Sequence, residues 1–371
     1  MRTGLTFDDV QIIPRYSEIE GRDLANTETR FTRRYKLEIP LIASPMDTVC
    51  DEKMALALWK LGGVGVIHRF MSIEEQVESV EWLRSMMGEA LSVGVGNPTE
   101  FFNPIAAAIG VNGDSRECVE KLLDAGVNVL VIDVAHGHHK LVKDLLGWLT
   151  TLRGRSKHTF DIVAGSVATL EAAYDLQDWG ADALRVGVGG GSVCETRIRT
   201  GIGVPQLQAV IDINEDVLMK QQIHSSVQFP TLEIPVISDG GIRYPGDVAK
   251  ALAAGADTVM IGSLFAGTDE APGEHFIEGL WPYNREMRVY RGLASATTKL
   301  KYAGAASHVE GASKMIESRG SVGHIVHDIV DGLTSSMSYV GATNLEEFRA
   351  QSRFIQITLS GLAEAHPHLL R

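Results

Sequence analysis

The residues best suited to chemistry lie in one stretch, Gly187-Val-Gly-Gly-Gly-Ser-Val-Cys-Glu-Thr-Arg-Ile-Arg-Thr-Gly-Ile-Gly-Val-Pro-Gln206. It holds one thiol, Cys194, with a hydroxyl at Thr196 and guanidinium groups at Arg197 and Arg199. Glycines let backbone N–H and C=O groups approach a ligand closely, with no Cβ in the way. A thiol held among such groups and near positive charge can ionise, and the thiolate is the nucleophile. A single cysteine would more simply be a small buried residue in a strand-to-helix turn. The glycines, Ser192, Cys194, Thr196 and the arginines crowded together favour a site.

Such a loop needs a rigid frame. Short apolar segments recur along the chain: Ile39 to Ala43, Val64 to His68, Ala106 to Val111, Val129 to Val134, Ile162 to Val167, Ala183 to Val188, Pro235 to Ser238 and Thr258 to Ile261. Most are separated by stretches of helical period, and Gly126 and Gly255 stand where a helix would stop before the next strand. Eight β–α units in series predict an α/β fold of the (β/α)8 TIM-barrel type. No GxGxxG follows the first strand, which counts against a Rossmann half. In a barrel the chemistry sits at the C-terminal ends of the strands. Those ends carry Ser44-Pro-Met-Asp47, His68-Arg69, Asp133 with His136-Gly-His-His139, Gly165-Ser166, the Cys194 loop, Ser238-Asp-Gly-Gly241 and Gly262-Ser263. The last two form the phosphate corner expected after strands seven and eight, offering bare N–H groups where helices begin. Asp239 beside them is assigned to ribose hydroxyls. Past strand eight the periodic pattern breaks. Residues 269 to 320 read as a polar, glycine-rich flap or lid without clear elements, and a helix is expected from Val322 to Leu333.

The 371 residues carry 47 acidic and 34 basic side chains, a net charge of −13. That excludes a general nucleic-acid surface but not a local pocket for one phosphate. The three cysteines are far apart, with no CxxC pair, which points to a reducing compartment. No apolar run is long enough to span a bilayer, and the N-terminus has no apolar signal core. A soluble, cytoplasmic protein without membrane contact is expected.

The Gly187–Gln206 stretch resembles the catalytic loop of the IMP dehydrogenase/GMP reductase family, which reads G-x-G-x-G-S-x-C-x-T-R-x-x-T-G-x-G-x-P-Q. Every fixed position is present. The opening Leu5-Thr-Phe-Asp-Asp-Val10 with Ile13-Pro14 is similar as well, and the resemblance spans essentially the whole chain. It implies a barrel acting on a purine nucleoside monophosphate through a covalent adduct of Cys194 with purine C2. Thr196 and Glu310 would move protons. Ser44, Met46, Ser192, Asp239, Gly241, Gly262, Ser263, Tyr290 and Gly292 would hold the nucleotide. Asp133, His136 and Gly187 would face a nicotinamide cofactor, Asp133 its ribose. The carbonyls of Gly189, Gly191 and Cys194 are implied ligands of a potassium ion, and a homotetramer is implied too. Dehydrogenases of the family usually carry CBS domains between strands two and three. Residues 88 to 104 are far too short for them, so one catalytic domain, 1–371, is expected.

Two reactions share the adduct: reductive deamination of GMP to IMP with NADPH, and oxidation of IMP to XMP with NAD. Dehydrogenases use an Arg-Tyr pair in the flap as base. Residues 269 to 320 contain none. Lys301-Tyr-Ala-Gly304, Val309-Glu-Gly311 and Ser338-Tyr-Val-Gly341 resemble reductases. Ser44-Pro-Met-Asp47, Gly62-Gly-Val-Gly-Val-Ile-His68 and the tail Ser360-Gly-Leu-Ala-Glu-Ala-His-Pro-His368 look more like dehydrogenases. Three positions depart from both branches. Glu195 follows the nucleophile, where its charge would oppose a thiolate. Ser166 replaces an Asn, and Leu293-Ala294 replaces a Met with a small partner. The reading adopted is a GMP reductase-like enzyme using NADPH. The alternatives are a CBS-less IMP dehydrogenase and a non-catalytic nucleotide-binding regulator.

Overall fold

A computed structural model describes residues 2–99, 102–214, 232–280, 284–292, 294–296, 298, 300 and 308–367. Leu293 and Lys301-Tyr-Ala-Gly304 lie outside the described residues, as does the tail from residue 368.

The eight expected strands are all present: β1 (Leu41–Ala43), β2 (Val64–Ile67), β3 (Ala106–Ile109), β4 (Val129–Ile132), β5 (Asp161–Val167), β6 (Ala183–Val186), β7 (Val236–Asp239) and β8 (Thr258–Ile261). They pair in parallel and in chain order into a closed barrel. Their near-continuous apolar sequences follow from burial on both faces. Ile42, Val66, Ala108, Val131, Val163 and Ile237 fill the interior. Their neighbours Leu41, Ile67, Ala107, Leu130 and Ile132 face the helices, as a period of two requires.

The bottom is plugged. A short hairpin pairs Thr29–Arg30 with Lys36–Leu37 and carries Phe31, which is fully buried. Thr32 Oγ1 donates to Asp161 Oδ2 at 2.6 Å, and Thr29 Oγ1 donates to the Asp257 carbonyl at 2.7 Å. Both aspartates stand at strand starts, so the plug seals the N-terminal end and leaves the other end for chemistry. Aspartates repeat a second task there. Asp257 Oδ2 accepts the N–H of Val236 at 2.8 Å, and Asp182 Oδ2 accepts the N–H of Ile162 at 2.9 Å. Asp182 also receives Arg153 Nη2 at 2.5 Å. Burial pushes the Asp182 carboxyl above its usual range, Asp161 adds to this, and Arg153 opposes it. Asp182→Ala would leave a guanidinium and a backbone N–H without their partner. Urea unfolding should show a loss of about 3 kcal/mol. A loss below about 1 kcal/mol would mean that the pair behaves as an exposed one.

Three expectations need correction. The flap has regular structure: β9 (His275–Glu278), β10 (Arg285–Arg291) and β11 (Ser313–Glu317) form a three-stranded antiparallel sheet. Its alternation is masked because a buried position of β10 is an arginine. Arg288 is buried between Asp269 and Glu286, 3.2 Å from each. The helix after the flap runs from Val322 to Val340, past Leu333. Leu333, Met337 and Val340 continue its buried face past that point, and the Ser335 and Ser336 hydroxyls donate to carbonyls one turn back, at 2.7 and 2.9 Å. Gly341, at φ 78°, ends it. The bridge is shorter than expected, since the helix Ile73–Ser92 extends into it. Among the described residues no helix is long and apolar enough to cross a membrane.

Candidate active site

The chain leaves β6 through Gly187, at φ 148°. A Cβ there would lie 2.2 Å from the Asp239 carbonyl, so only glycine lets the loop pass the end of β7. Arg197 ties the loop together. Its Nε and Nη2 donate to the Val188 carbonyl at 3.2 and 3.1 Å, and Nη2 also donates to the Val204 carbonyl. Arg199 pairs with Glu195 at 2.6 Å. Both guanidiniums are therefore engaged within the loop, and the Glu195 charge beside the thiol is compensated.

Cys194 is exposed at the cavity wall. Its Sγ donates to Thr196 Oγ1 at 3.2 Å, and that hydroxyl donates to Glu310 Oε2 at 2.8 Å. Glu310 comes from the flap, 114 residues beyond Thr196. The main chain holds it there. Glu195 N–H donates to the Glu310 carbonyl at 2.7 Å, Ala312 N–H to that of Val193 at 2.8 Å, and Glu310 N–H to that of Ala294 at 3.0 Å. A Cβ on Gly311 would meet Ser295 N at 2.9 Å, so this junction closes only around glycine.

Beside the thiol lies the glycine corner. Gly240 and Gly241 adopt φ of 100° and 80°. A Cβ on Gly262 would meet Met46 Sδ and Tyr290 Oη at 3.3 Å. Ser192 Oγ donates to Tyr290 Oη at 3.4 Å, and burial pushes the Tyr290 phenol up. The expected helix starts are absent here. After Gly241 the helix begins only at Pro245, and Gly262–Gly267 is a turn in which Ala266 N–H donates to the Gly262 carbonyl. The corner is built of the left-handed Gly240 and Gly241 and of the turn at Gly262, not of helix ends. Arg319, which sequence reasoning missed, donates to the carbonyls of Ser263 and Leu264 at 2.6 and 3.0 Å and brings a cation to this corner.

Arg185 lies on β6, 7% exposed. Its Nε donates to Asp239 Oδ2 at 2.7 Å and its Nη1 to Asp133 Oδ1 at 2.9 Å. Arg69 Nε donates to the other Asp133 oxygen at 3.2 Å. A guanidinium within an apolar strand, Ala-Leu-Arg-Val, was the available signal. The two carboxylates hold the Arg185 guanidinium in its charged form against the cost of burial, and its pKa lies above the usual range.

The cavity is about 710 Å³, within the usual range for small-molecule sites. Ser44, Met46, Asp133, Ser166, Asp239 and Ser263 contribute to its wall, as do Gly187, Gly189, Gly191, Gly292 and Ala294. His136 does not. It is exposed at the rim, its ring 6.5 Å from that of His138, which pairs with Asp175 at 2.7 Å. The potassium set fits only in part. The Gly191 carbonyl already accepts the Cys194 N–H at 3.0 Å, and the positive charge resting on the loop carbonyls of Val188 and Val204 belongs to Arg197.

A closed eight-stranded barrel with a polar pocket at its strand C-termini defines a (β/α)8-barrel enzyme. The chain belongs to the IMP dehydrogenase / GMP reductase domain family, whose profile matches residues 4–368. It is 37% identical to inosine-5′-monophosphate dehydrogenase of Cryptosporidium parvum, over 98% of this chain and 95% of that protein. It is 30% identical to GMP reductase of Leishmania major, over 98% and 96%. A crystal structure of GMP reductase from Trypanosoma brucei, a cysteine-to-alanine variant in complex with guanosine 5′-monophosphate, superposes with a TM-score of 0.85. It is 30% identical, over 99% of this chain and 98% of that one. The Leishmania alignment runs over 493 positions against 371 residues here, so that relative carries segments this chain lacks. Members of the family are NAD(P)-dependent oxidoreductases, and so is this protein.

Proposed function

We propose that the protein is a single-domain GMP reductase that deaminates a guanine nucleotide reductively with NADPH. The observation that carries this reading is the line from Cys194 Sγ through Thr196 Oγ1 to Glu310 Oε2, at 3.2 and 2.8 Å. It is a proton path attached directly to a nucleophile. The absence of an Arg-Tyr pair between residues 269 and 320 supports the same direction.

In this reading Asp239, Gly241, Ser263 and Ser192 hold ribose and phosphate. The purine C2 then lies against Cys194. The thiol proton passes through Thr196 to Glu310, and the freed thiolate bonds to C2. The C2–N bond breaks, and the stored proton returns through Thr196 to the departing ammonia. The proton taken from the thiol is thus the one placed on the leaving group. Asp133 and Ser166, in the same cavity, fit the polar part of a dinucleotide. A nicotinamide bound there supplies a hydride to C2. The C2–S bond then breaks, and Cys194 leaves as thiolate with IMP as product.

The opposite reading, oxidation of IMP with NAD, is favoured by one observation: the Cryptosporidium dehydrogenase is 37% identical over nearly the whole chain. Nicotinamide absorbance separates the two. GMP with NADPH in one cuvette should show NADPH oxidation, and IMP with NAD in another should show nothing. NAD reduction with IMP alone would overturn the reductase assignment.

A further inference from the structure

We propose that Arg185 is a positioning residue that couples the two halves of the pocket, so that each ligand tightens the binding of the other. This rests on the two-ligand reading above. Asp239 ends β7 beside Gly240 and Gly241, while Asp133 follows β4 and lines the cavity with Ser166. These are different sectors of the barrel mouth, and each carboxylate can accept hydrogen bonds from sugar hydroxyls. They do not move independently. One guanidinium, planar and almost wholly buried, spends Nε on Asp239 and Nη1 on Asp133. Its fork fixes the angle between those two bonds. Holding either carboxylate in place therefore holds the guanidinium, and through it the other carboxylate. A nucleotide that settles Asp239 therefore settles Asp133 in advance, and the second ligand no longer meets the cost of ordering it. Arg69 is the contrasting case. Its side chain is 35% exposed and reaches Asp133 alone among the two. It steadies one half and transmits nothing.

Coupling of this kind is reciprocal, with one factor for both ligands. The test uses the full chain carrying Cys194→Ala, so that no turnover disturbs equilibrium. Calorimetry measures GMP affinity with and without NADP+, and NADP+ affinity with and without GMP. IMP with NAD+ is measured in parallel. The expected result is a mutual tightening of about fivefold or more, equal in both directions. Arg185→Lys should bring the factor close to one while each ligand alone still binds. A single ammonium nitrogen cannot occupy the Nε and Nη1 positions together. Arg69→Met should keep the factor and weaken only the dinucleotide. Unchanged coupling in Arg185→Lys, or none in the parent while both ligands bind, would overturn this inference alone. Coupling seen only for IMP with NAD+ would uphold it and overturn the reductase reading. Binding of neither pair would overturn both.

Discussion

Cys194→Ala should lower turnover by at least about 10⁴-fold while nucleotide affinity changes only a few-fold. No other thiol can take its place. Cys50 and Cys118 are buried; burial pushes the Cys50 thiol far up and the Cys118 thiol up to about 11. Cys194 alone among the three is exposed. The substitution removes the attacking atom but leaves the glycine corner, Asp239 and Arg197 in place, so binding and chemistry should separate. Rapid denaturation of the turning-over protein, followed by mass spectrometry, should find a nucleotide adduct on the peptide holding Cys194. The alanine variant should show none. Turnover within tenfold of the parent would remove the covalent route.

Glu310→Gln should cost about 10² to 10⁴ in turnover, the usual worth of a positioned proton carrier. The amide keeps the size of the side chain and still accepts the Thr196 hydroxyl, but it cannot store a proton. The main-chain bonds from Glu195 and to Ala294 do not depend on the side chain, so the junction of flap and loop should survive. Thr196→Val interrupts the same path. The double variant should therefore be scarcely worse than either single one, since groups acting as one relay are not additive. Adduct formation is the sharper readout. If Glu310→Gln leaves the rate of adduct formation unchanged, the carboxylate serves only to hold the flap.

The barrel was legible because its signal is local and repeated. Apolar runs such as Val129–Ile132 and Thr258–Ile261 are strands buried on both faces, and left-handed glycines such as Gly126 and Gly255 mark the helix ends before them. The flap sheet was not legible. Arg288 and Tyr290 occupy the buried side of β10, and a buried arginine reads as a polar loop until its partners Asp269 and Glu286 are seen. The helix expected to stop at Leu333 continues because Met337 and Val340 carry its buried stripe onward, past serines that read as a turn.

The candidate site divides in the same way. Cys194, Thr196, Asp239 and the glycines announce themselves by type and spacing, since close backbone approach and a nucleophile need those residues near one another in the chain. Glu310 stands out only through a family likeness, and its 2.8 Å bond to Thr196 comes from folding the flap back over the β6 loop. Arg185 shows in the sequence only as a charge within an apolar strand. Its meaning depends on Asp133 and Asp239, which are 52 and 54 residues away. From the sequence alone follow the family of the chain, the alternation that closes the barrel and the residues able to act. Which charges face one another across its mouth is settled by tertiary structure, because ion pairs and hydrogen bonds act through a few ångströms of space and take no account of distance along the chain.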